Sequence, residues 1–474
     1  MSVSYGNMNM SDRKDIVTRL ILDAAQKTGY MSEGATEREF TQPVQWPVQC
    51  TVGPGLEGAI ACESQVGYVS GSTGRLVYRG YDIFDLCAYS TFEEVSYLLV
   101  HGVMPSRSQL EEYTGLLKQY RHIPHTLRLM MGFPVEKMNT MAALRLGTTL
   151  MRHEFTEVDR VPDQKVAKAL IAADEDSIPM ETPPMGEKHA IYEFKRDARK
   201  KKRKVERAAQ SAIGLESCYH LISGVASITA AIGRLRRGLM PLEPDNKLGH
   251  AANLLYMITG QRPTPLQERL MDVSLILHAD HGMNASTFAS LVVASTLSDM
   301  YLSVGAGIAA LNGPLHGGAN QEVLRMLEDI GHWRNVPAWY EKTRAQNRKV
   351  MGFGHRVYQT YDPRARILGP LAGHLAKEDE KARRLLRTAE ALEKAVVSTL
   401  GIKKGIYPNV DLYSGIVYGC MGIPVDLFTP IFAVSRVSGW TARLVEYLRN
   451  NRIFRPRAIY NGPFGLRYVP IGSR

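Results

Sequence analysis

Histidine, aspartate and arginine gather in four short clusters in the second half of the chain. LILHADHGMNAST carries His278 and His281, a spacing that on a helix puts both imidazoles on one face, where they could ligate a metal. A third ligand is missing, because Asp280 would point elsewhere, so one packed and one functional histidine is the expected arrangement. In LNGPLHGGANQEV, His316 follows Pro314 and precedes Gly317, Gly318 and Ala319. Such small neighbours let a ligand reach the imidazole and nearby backbone N–H groups, as at a helix start. The alternative is a loop histidine satisfied by backbone. VMGFGHRVYQTYDPRA sets His355 after Gly352 and Gly354, with Arg364 closing an Asp-Pro-Arg unit. PNVDLYSG presents Asp411 after a turn-forming Pro-Asn pair, and AVSRVSGW and FRPRAIY add Arg436, Arg455 and Arg457. Several arginines beside glycine-exposed histidines suit an anionic substrate with more than one carboxylate, because guanidinium binds carboxylate bidentately.

The elements that must position these groups read as helices. LRLMMGFP, AALRLGTTLM, YHLISGVASITAAIGRLRRG and AANLLYMITG carry helical periodicity. Thr91 with Glu94 predicts a capping box before an apolar helix, and Thr264-Pro265-Leu266-Gln267 predicts another start with Pro at the first helical position. Residues 282–320 hold one formal charge, Asp299, yet polar residues and the Gly313-Pro314 break predict two buried helices rather than a membrane span. GAGIAA within them mimics a dinucleotide fingerprint, but it lacks a βαβ setting, and close helix packing explains its small residues. VGYVSGSTGRLVYRG alternates around glycines and predicts a small β-hairpin near the N-terminus. No strand–helix alternation runs through the chain, which argues against a parallel doubly wound sheet. The expected fold class is all-α.

Composition narrows the classes further. Lys+Arg number 58 and Asp+Glu 47 in 474 residues, a net charge of +11. Residues 195–207 alone hold nine Lys/Arg against two acidic residues, +7, which leaves +4 for the remainder. This KRDARKKKRKVER run resembles a nuclear import signal or a nucleic-acid patch, but no aromatics interleave to stack bases, so a solvated insertion within 173–210 is expected. Cys50, Cys62, Cys87, Cys218 and Cys420 are odd in number and lack a C-x-x-C, which argues against a disulfide framework or zinc knuckle and for a reducing, cytoplasmic compartment. The first residues lack a signal-peptide core, and Ile16, Val17, Leu20, Ile21 and Ala24 recur at helical spacing.

Taken together, HADHGMNAST, GPLHGGANQEV, GFGHRVYQTYDPR, PNVDLYSG, AVSRVSGW and RPRAIYNGP resemble, in order and spacing, the citrate synthase family. GLEG, GRLVYRGYDI and TFEEVSYLL resemble the N-terminal part of its bacterial members, so the likeness runs from about residue 55 to the C-terminus, the basic insertion apart.

The resemblance implies an almost wholly helical homodimer: an extension over 1–54, a large domain over 55–325 and 431–474, and a small domain over 326–430 that closes on it. It implies condensation of acetyl-CoA with oxaloacetate, then hydrolysis of the citryl thioester, with no metal or cofactor beyond the thioester substrate. By match, Asp411 would take the methyl proton, His316 would donate to the thioester oxygen, and His355 would polarise the oxaloacetate carbonyl. His281, Arg364, Arg436 and Arg455 would hold the oxaloacetate carboxylates, Arg455 reaching from the partner subunit. Val350, Met351, Gly352, Phe353, Gly354 and Asn409 would line coenzyme A, with Arg366 near its phosphates. A 2-methylcitrate synthase using propionyl-CoA would share these residues, since one methylene is worth only ~1–3 kcal/mol in a pocket. The alternative outside catalysis is a silent relative that binds an acidic partner through the basic run.

Overall fold

The computed structural model describes residues 10–27, 45–154, 214–468 and 470–474. The basic insertion expected within 173–210 lies outside the described residues, as do 1–9 and 28–44 of the extension.

Two long helices, Leu215–Leu235 and Phe428–Leu448, pack against each other at the centre. The first is long and apolar enough to cross a membrane, but 83% of its most apolar stretch is buried inside the fold. Trp440 on the second is 1% exposed and sits against Gly307 of the Met300–Leu311 helix, where an added Cβ would lie 2.3 Å from Ser290 Oγ and 3.1 Å from the indole. The small residues of GAGIAA therefore serve close packing of Met300–Leu311 on Ala285–Ser295, the two helices expected within 282–320. Asp299, the one charge there, caps the second helix by accepting from Leu302 N–H at 2.9 Å.

Helix starts follow the local chemistry. Thr264 and Gln267 form the reciprocal capping box, with Pro265 in the first turn. At Thr91 only half of the box is made: its side chain accepts from Glu94 N–H, and Asp272 supplies the second acceptor by taking Phe92 N–H at 3.0 Å. The expected N-terminal helix spans Met10–Lys27 and packs on the Ile83–Tyr89 and Pro265–His278 helices. Val17 and Ile21 on it are fully buried, each contributing roughly 1.5–3 kcal/mol.

The hairpin forms as expected. Strand β1 (Gly67–Ser70) pairs antiparallel with β2 (Arg75–Tyr78) in the register Gly67↔Tyr78 to Ser70↔Arg75. A two-residue strand β3 (Tyr81–Asp82), not foreseen, pairs with β2. The hairpin turn packs on a distant loop: Gln359 N–H donates to Gly71 O at 3.0 Å, and a Cβ on Gly71 would lie 2.3 Å from Val357 O. Helices Ala319–Ile330, Pro363–Leu375, Glu380–Val396 and Asp411–Cys420 pack on one another and carry the segments around Asp411.

Candidate active site

The His278–His281 segment is fixed first. The preceding helix ends at His278, so His281 lies beyond it, and the two imidazoles do not share a helix face. His278 Nδ1 donates to Ser274 O at 2.7 Å and its ring meets Phe432 edge-on at 4.3 Å, which makes it the packed histidine. The turn that follows is pinned by buried Asp280, whose oxygens accept from Arg443 Nε at 2.7 Å and Nη2 at 2.8 Å. Tyr78 of β2 also holds it, with Oη 2.9 Å from Asp280 O. Thus the hairpin and the Phe428–Leu448 helix fix the turn that carries His281, whose ring meets those of His355 and Tyr358.

His316 meets the start of the Ala285–Ser295 helix. Ser286 N–H lies 3.2 Å from His316 Nε2 and Ser286 Oγ lies 2.8 Å from it. A backbone N–H can only donate, so Nε2 accepts and the neutral ring carries its proton on Nδ1. At His355 the arrangement is reversed. Val357 N–H at 2.9 Å and Tyr358 N–H at 3.2 Å both reach Nδ1, which puts the proton on Nε2. Burial, with Arg436 adding to it, pushes His316 down to about 4. Burial likewise takes His355 to about 4, Arg364 adding to the shift while Asp362 opposes it. His281 is also held well below the ordinary range, by burial and then Arg364. All three rings are neutral at pH 7.

Arg364 and Arg436 are buried differently. Arg364 forms a two-pronged pair with Asp362, Nε to Oδ1 at 3.0 Å and Nη2 to Oδ2 at 2.7 Å. Asp362 caps the Pro363–Leu375 helix and also accepts from Val410 N–H at 3.3 Å, which ties that helix to the one beginning at Asp411. Arg436 has no such carboxylate. Its Nε donates to His278 O at 2.6 Å, its guanidinium covers the Phe432 ring at 4.8 Å, and no ion pair reaches it among the described residues. Burial lowers it to about 10 against the pull of Asp280.

Asp411 opens its helix half-buried, and desolvation pushes its carboxyl up to about 6 against the pull of Arg364. The loop before it is braced to the His355 loop. Asn409 Nδ2 donates to Gly354 O at 2.9 Å, its Oδ1 accepts from Asp411 N–H at 3.0 Å, and its own N–H donates to Gly352 O at 3.0 Å. Gly352 holds φ 82°, a left-handed turn that favours glycine. Val350 and Phe353 are buried, Met351 is half-buried, and Arg366 stacks over Tyr361 at 4.5 Å.

Electrostatic coupling joins the parts: Arg436 acts on His281 and His316, and Arg364 acts on His281, His355 and Asp411. Arg455 stands apart, exposed on the C-terminal segment with no contact to the others. Among the described residues no group of three or more His, Cys, Asp or Glu is placed to hold a metal ion. Sequence reasoning passed over Ser286, Tyr358 and Arg443 and weighed Asp280 only as a metal ligand; of the supporting groups only Asp362 carried a signal, the Asp-Pro start of a helix. A carboxyl near neutrality, two oriented imidazole donors and two buried guanidinium groups can remove a weakly acidic proton and stabilise the oxyanions that form.

Comparison with known proteins agrees. The profile of the family described as "Citrate synthase, C-terminal domain" matches residues 55–457. Citrate synthase of Synechocystis sp. is 39% identical over 429 residues, covering 89% of this chain and 93% of its own; that of Haloferax volcanii is 37% identical over 421 residues, covering 89% and 98%. The crystal structure of citrate synthase from Pyrobaculum aerophilum superposes with a TM-score of 0.74 at 37% identity, covering 92% of this chain and all of its own. A ternary complex of carboxymethyl coenzyme A and oxaloacetate with citrate synthase from Thermoplasma acidophilum gives 0.73 at 31% identity, covering 90% and 100%. Motifs, fold and relatives converge, and the chain belongs to the citrate synthase family of acyl-transferring enzymes.

Proposed function

We propose that this enzyme is a cytoplasmic citrate synthase, which condenses acetyl-CoA with oxaloacetate and water to give citrate and coenzyme A. The observation that carries the reading is Arg436. A buried guanidinium with no direct ion pair among the described residues is costly unless an anion joins it, and Asp280, already paired with Arg443, acts on it only from beyond ion-pair distance. It acts on His281 alongside Arg364 and His355, which suits a substrate bearing two carboxylates beside a carbonyl.

In this reading Asp411 accepts the acetyl methyl proton, and the electron pair released moves to the thioester oxygen. His316 Nδ1–H donates to that oxygen. The enol carbon attacks the oxaloacetate carbonyl, whose oxygen takes the proton of His355 Nε2, and the new bond is the carbon–carbon bond of citryl-CoA. Water then cleaves the thioester, giving the citrate carboxylate and the CoA thiol. His281, Arg364 and Arg436 hold the oxaloacetate carboxylates. The loop of Val350, Met351, Gly352, Phe353 and Gly354, with Asn409 and Arg366, faces coenzyme A.

The helices over 326–430 form the closing domain that carries Asp411 towards His316 and excludes water until condensation is complete. Arg455 is supplied to the partner's site in a homodimer. Its segment supports this: Ile453 is 62%, Ile459 97% and Phe464 83% exposed, apolar surface suited to a neighbouring subunit.

The test follows CoA thiol release with oxaloacetate, offering acetyl-CoA and propionyl-CoA in parallel. Acetyl-CoA is expected to be preferred. A clear propionyl preference would assign the enzyme to 2-methylcitrate synthesis, and no release with either would overturn the catalytic reading.

A further inference from the structure

Tyr358 lies between the two histidines proposed to face oxaloacetate and touches both. Its side chain is 2% exposed. Its ring centroid is 5.4 Å from that of His281 and 4.8 Å from that of His355, and the two imidazoles are 5.0 Å apart. Its backbone N–H reaches His355 Nδ1 at 3.2 Å, and its hydroxyl reaches His281 Nε2 at 3.2 Å. Backbone donors alone therefore specify His355. His281 depends on the hydroxyl, the one hydrogen-bond partner of its ring among the described residues.

A hydroxyl can donate or accept, so the surroundings decide the direction. Arg364 and Arg436 both act on His281, and with burial they keep its ring neutral, leaving a single N–H. A substrate carboxylate can only accept, so His281 must spend that N–H on it. Nε2 faces Tyr358, and Nδ1 is the nitrogen left for the substrate. Arg364 also interacts electrostatically with Tyr358. A nearby cation favours the phenolic oxygen turned towards it and the hydrogen turned away.

We propose that Tyr358 is a positioning residue for oxaloacetate binding, its O–H donating to His281 Nε2 and fixing the Nδ1–H tautomer that grips a substrate carboxylate. The inference rests on the proposed oxaloacetate site. Loss of one such hydrogen bond predicts that Tyr358→Phe raises the oxaloacetate KM by roughly 5–20-fold. The acyl-CoA KM and kcat should change by less than about twofold, a split that general loosening of the fold would not produce. In a His281→Ala background the same change should add almost nothing, because the hydroxyl acts through that ring. Additive effects, or an unchanged oxaloacetate KM, would overturn the proposal. Nitrogen-15 NMR of the histidine-labelled wild-type protein gives a readout that needs no variant: His281 is expected protonated on Nδ1, and a proton on Nε2 overturns the proposal. Wild-type turnover with a silent Tyr358→Phe strikes this inference alone, whereas no wild-type turnover strikes the oxaloacetate site and the inference together.

Discussion

Two regions of this protein bury ionisable side chains, and they treat the proton differently. One is a cavity of about 220 Å³ where Glu93, His250, Glu268 and Asp272 meet. There Glu93 accepts from His250 N–H at 2.6 Å and Asp272 accepts from Phe92 N–H, so each acid answers the positive end of a helix. His250 is pushed down to about 3 by burial, yet neither ring nitrogen has a hydrogen-bond partner among the described residues. Nothing specifies where its proton sits. At the candidate site, His316 and His355 are partly buried and shifted in the same direction, but a backbone N–H fixes one nitrogen of each and leaves the other to donate. A displaced pKa alone does not mark a site; a specified tautomer facing open space does.

The largest effect expected from breaking that distinction is at Asp411. Asp411→Asn should cost about 10²–10⁴ in kcat, with oxaloacetate still bound by calorimetry; retained turnover would remove it as the base. Next is the scaffold. Arg443→Met leaves Asp280 buried without its partner and should cost about 3–5 kcal/mol in denaturant unfolding, so an unchanged midpoint would refute the pinning of the His281 turn. The pH dependence follows. Asp411 titrates near 6 while His316 and His355 stay neutral above about 4. The kcat/KM for the acyl-CoA should therefore fall about tenfold between pH 7 and 5 along a single limb. A limb centred near 4 would point to a histidine instead. Ser286→Ala keeps the backbone donor and loses only the hydroxyl, and a fall in kcat of up to about tenfold is expected, with KM for oxaloacetate steady.

The smallest effect is at the other region. Asp272→Asn should change kcat less than about twofold. Burial and then Glu93 raise the Asp272 pKa in the folded state, so the wild type binds a proton on folding. Its contribution is fully present below the ordinary carboxylate range and fades as pH rises through the raised value. The asparagine variant should lose that slope, gaining on the wild type towards alkaline pH in unfolding titrations. Parallel curves would mean that Asp272 is not the titrating group.

Legibility followed sequence distance. His281, His316, His355, Asp411, Arg364 and Arg436 stood in short motifs, and the hairpin, the Thr264 box and the paired helices of 282–320 showed in local pattern. Ser286 lies within the HADHGMNAST motif, but its task arises only when a residue 30 positions away folds onto it. Arg443 meets Asp280 across 163 positions, and Tyr358 meets His281 across 77. The His278–His281 face failed because periodicity does not say where a helix stops. Arg443, similarly, looks like any arginine on an amphipathic helix until its partner is known.

The burial of the Leu215–Leu235 helix has a consequence for synthesis. Part of its cover is the Phe428–Leu448 helix, encoded about 200 residues later. At roughly 5–20 residues per second the ribosome takes on the order of 10–40 s to deliver that cover. Helices Arg107–Tyr120, Thr140–Leu150 and His250–Thr259 can cover its other faces early, but through that interval the face met by Phe428–Leu448 stays open on a segment hydrophobic enough to resemble a membrane anchor.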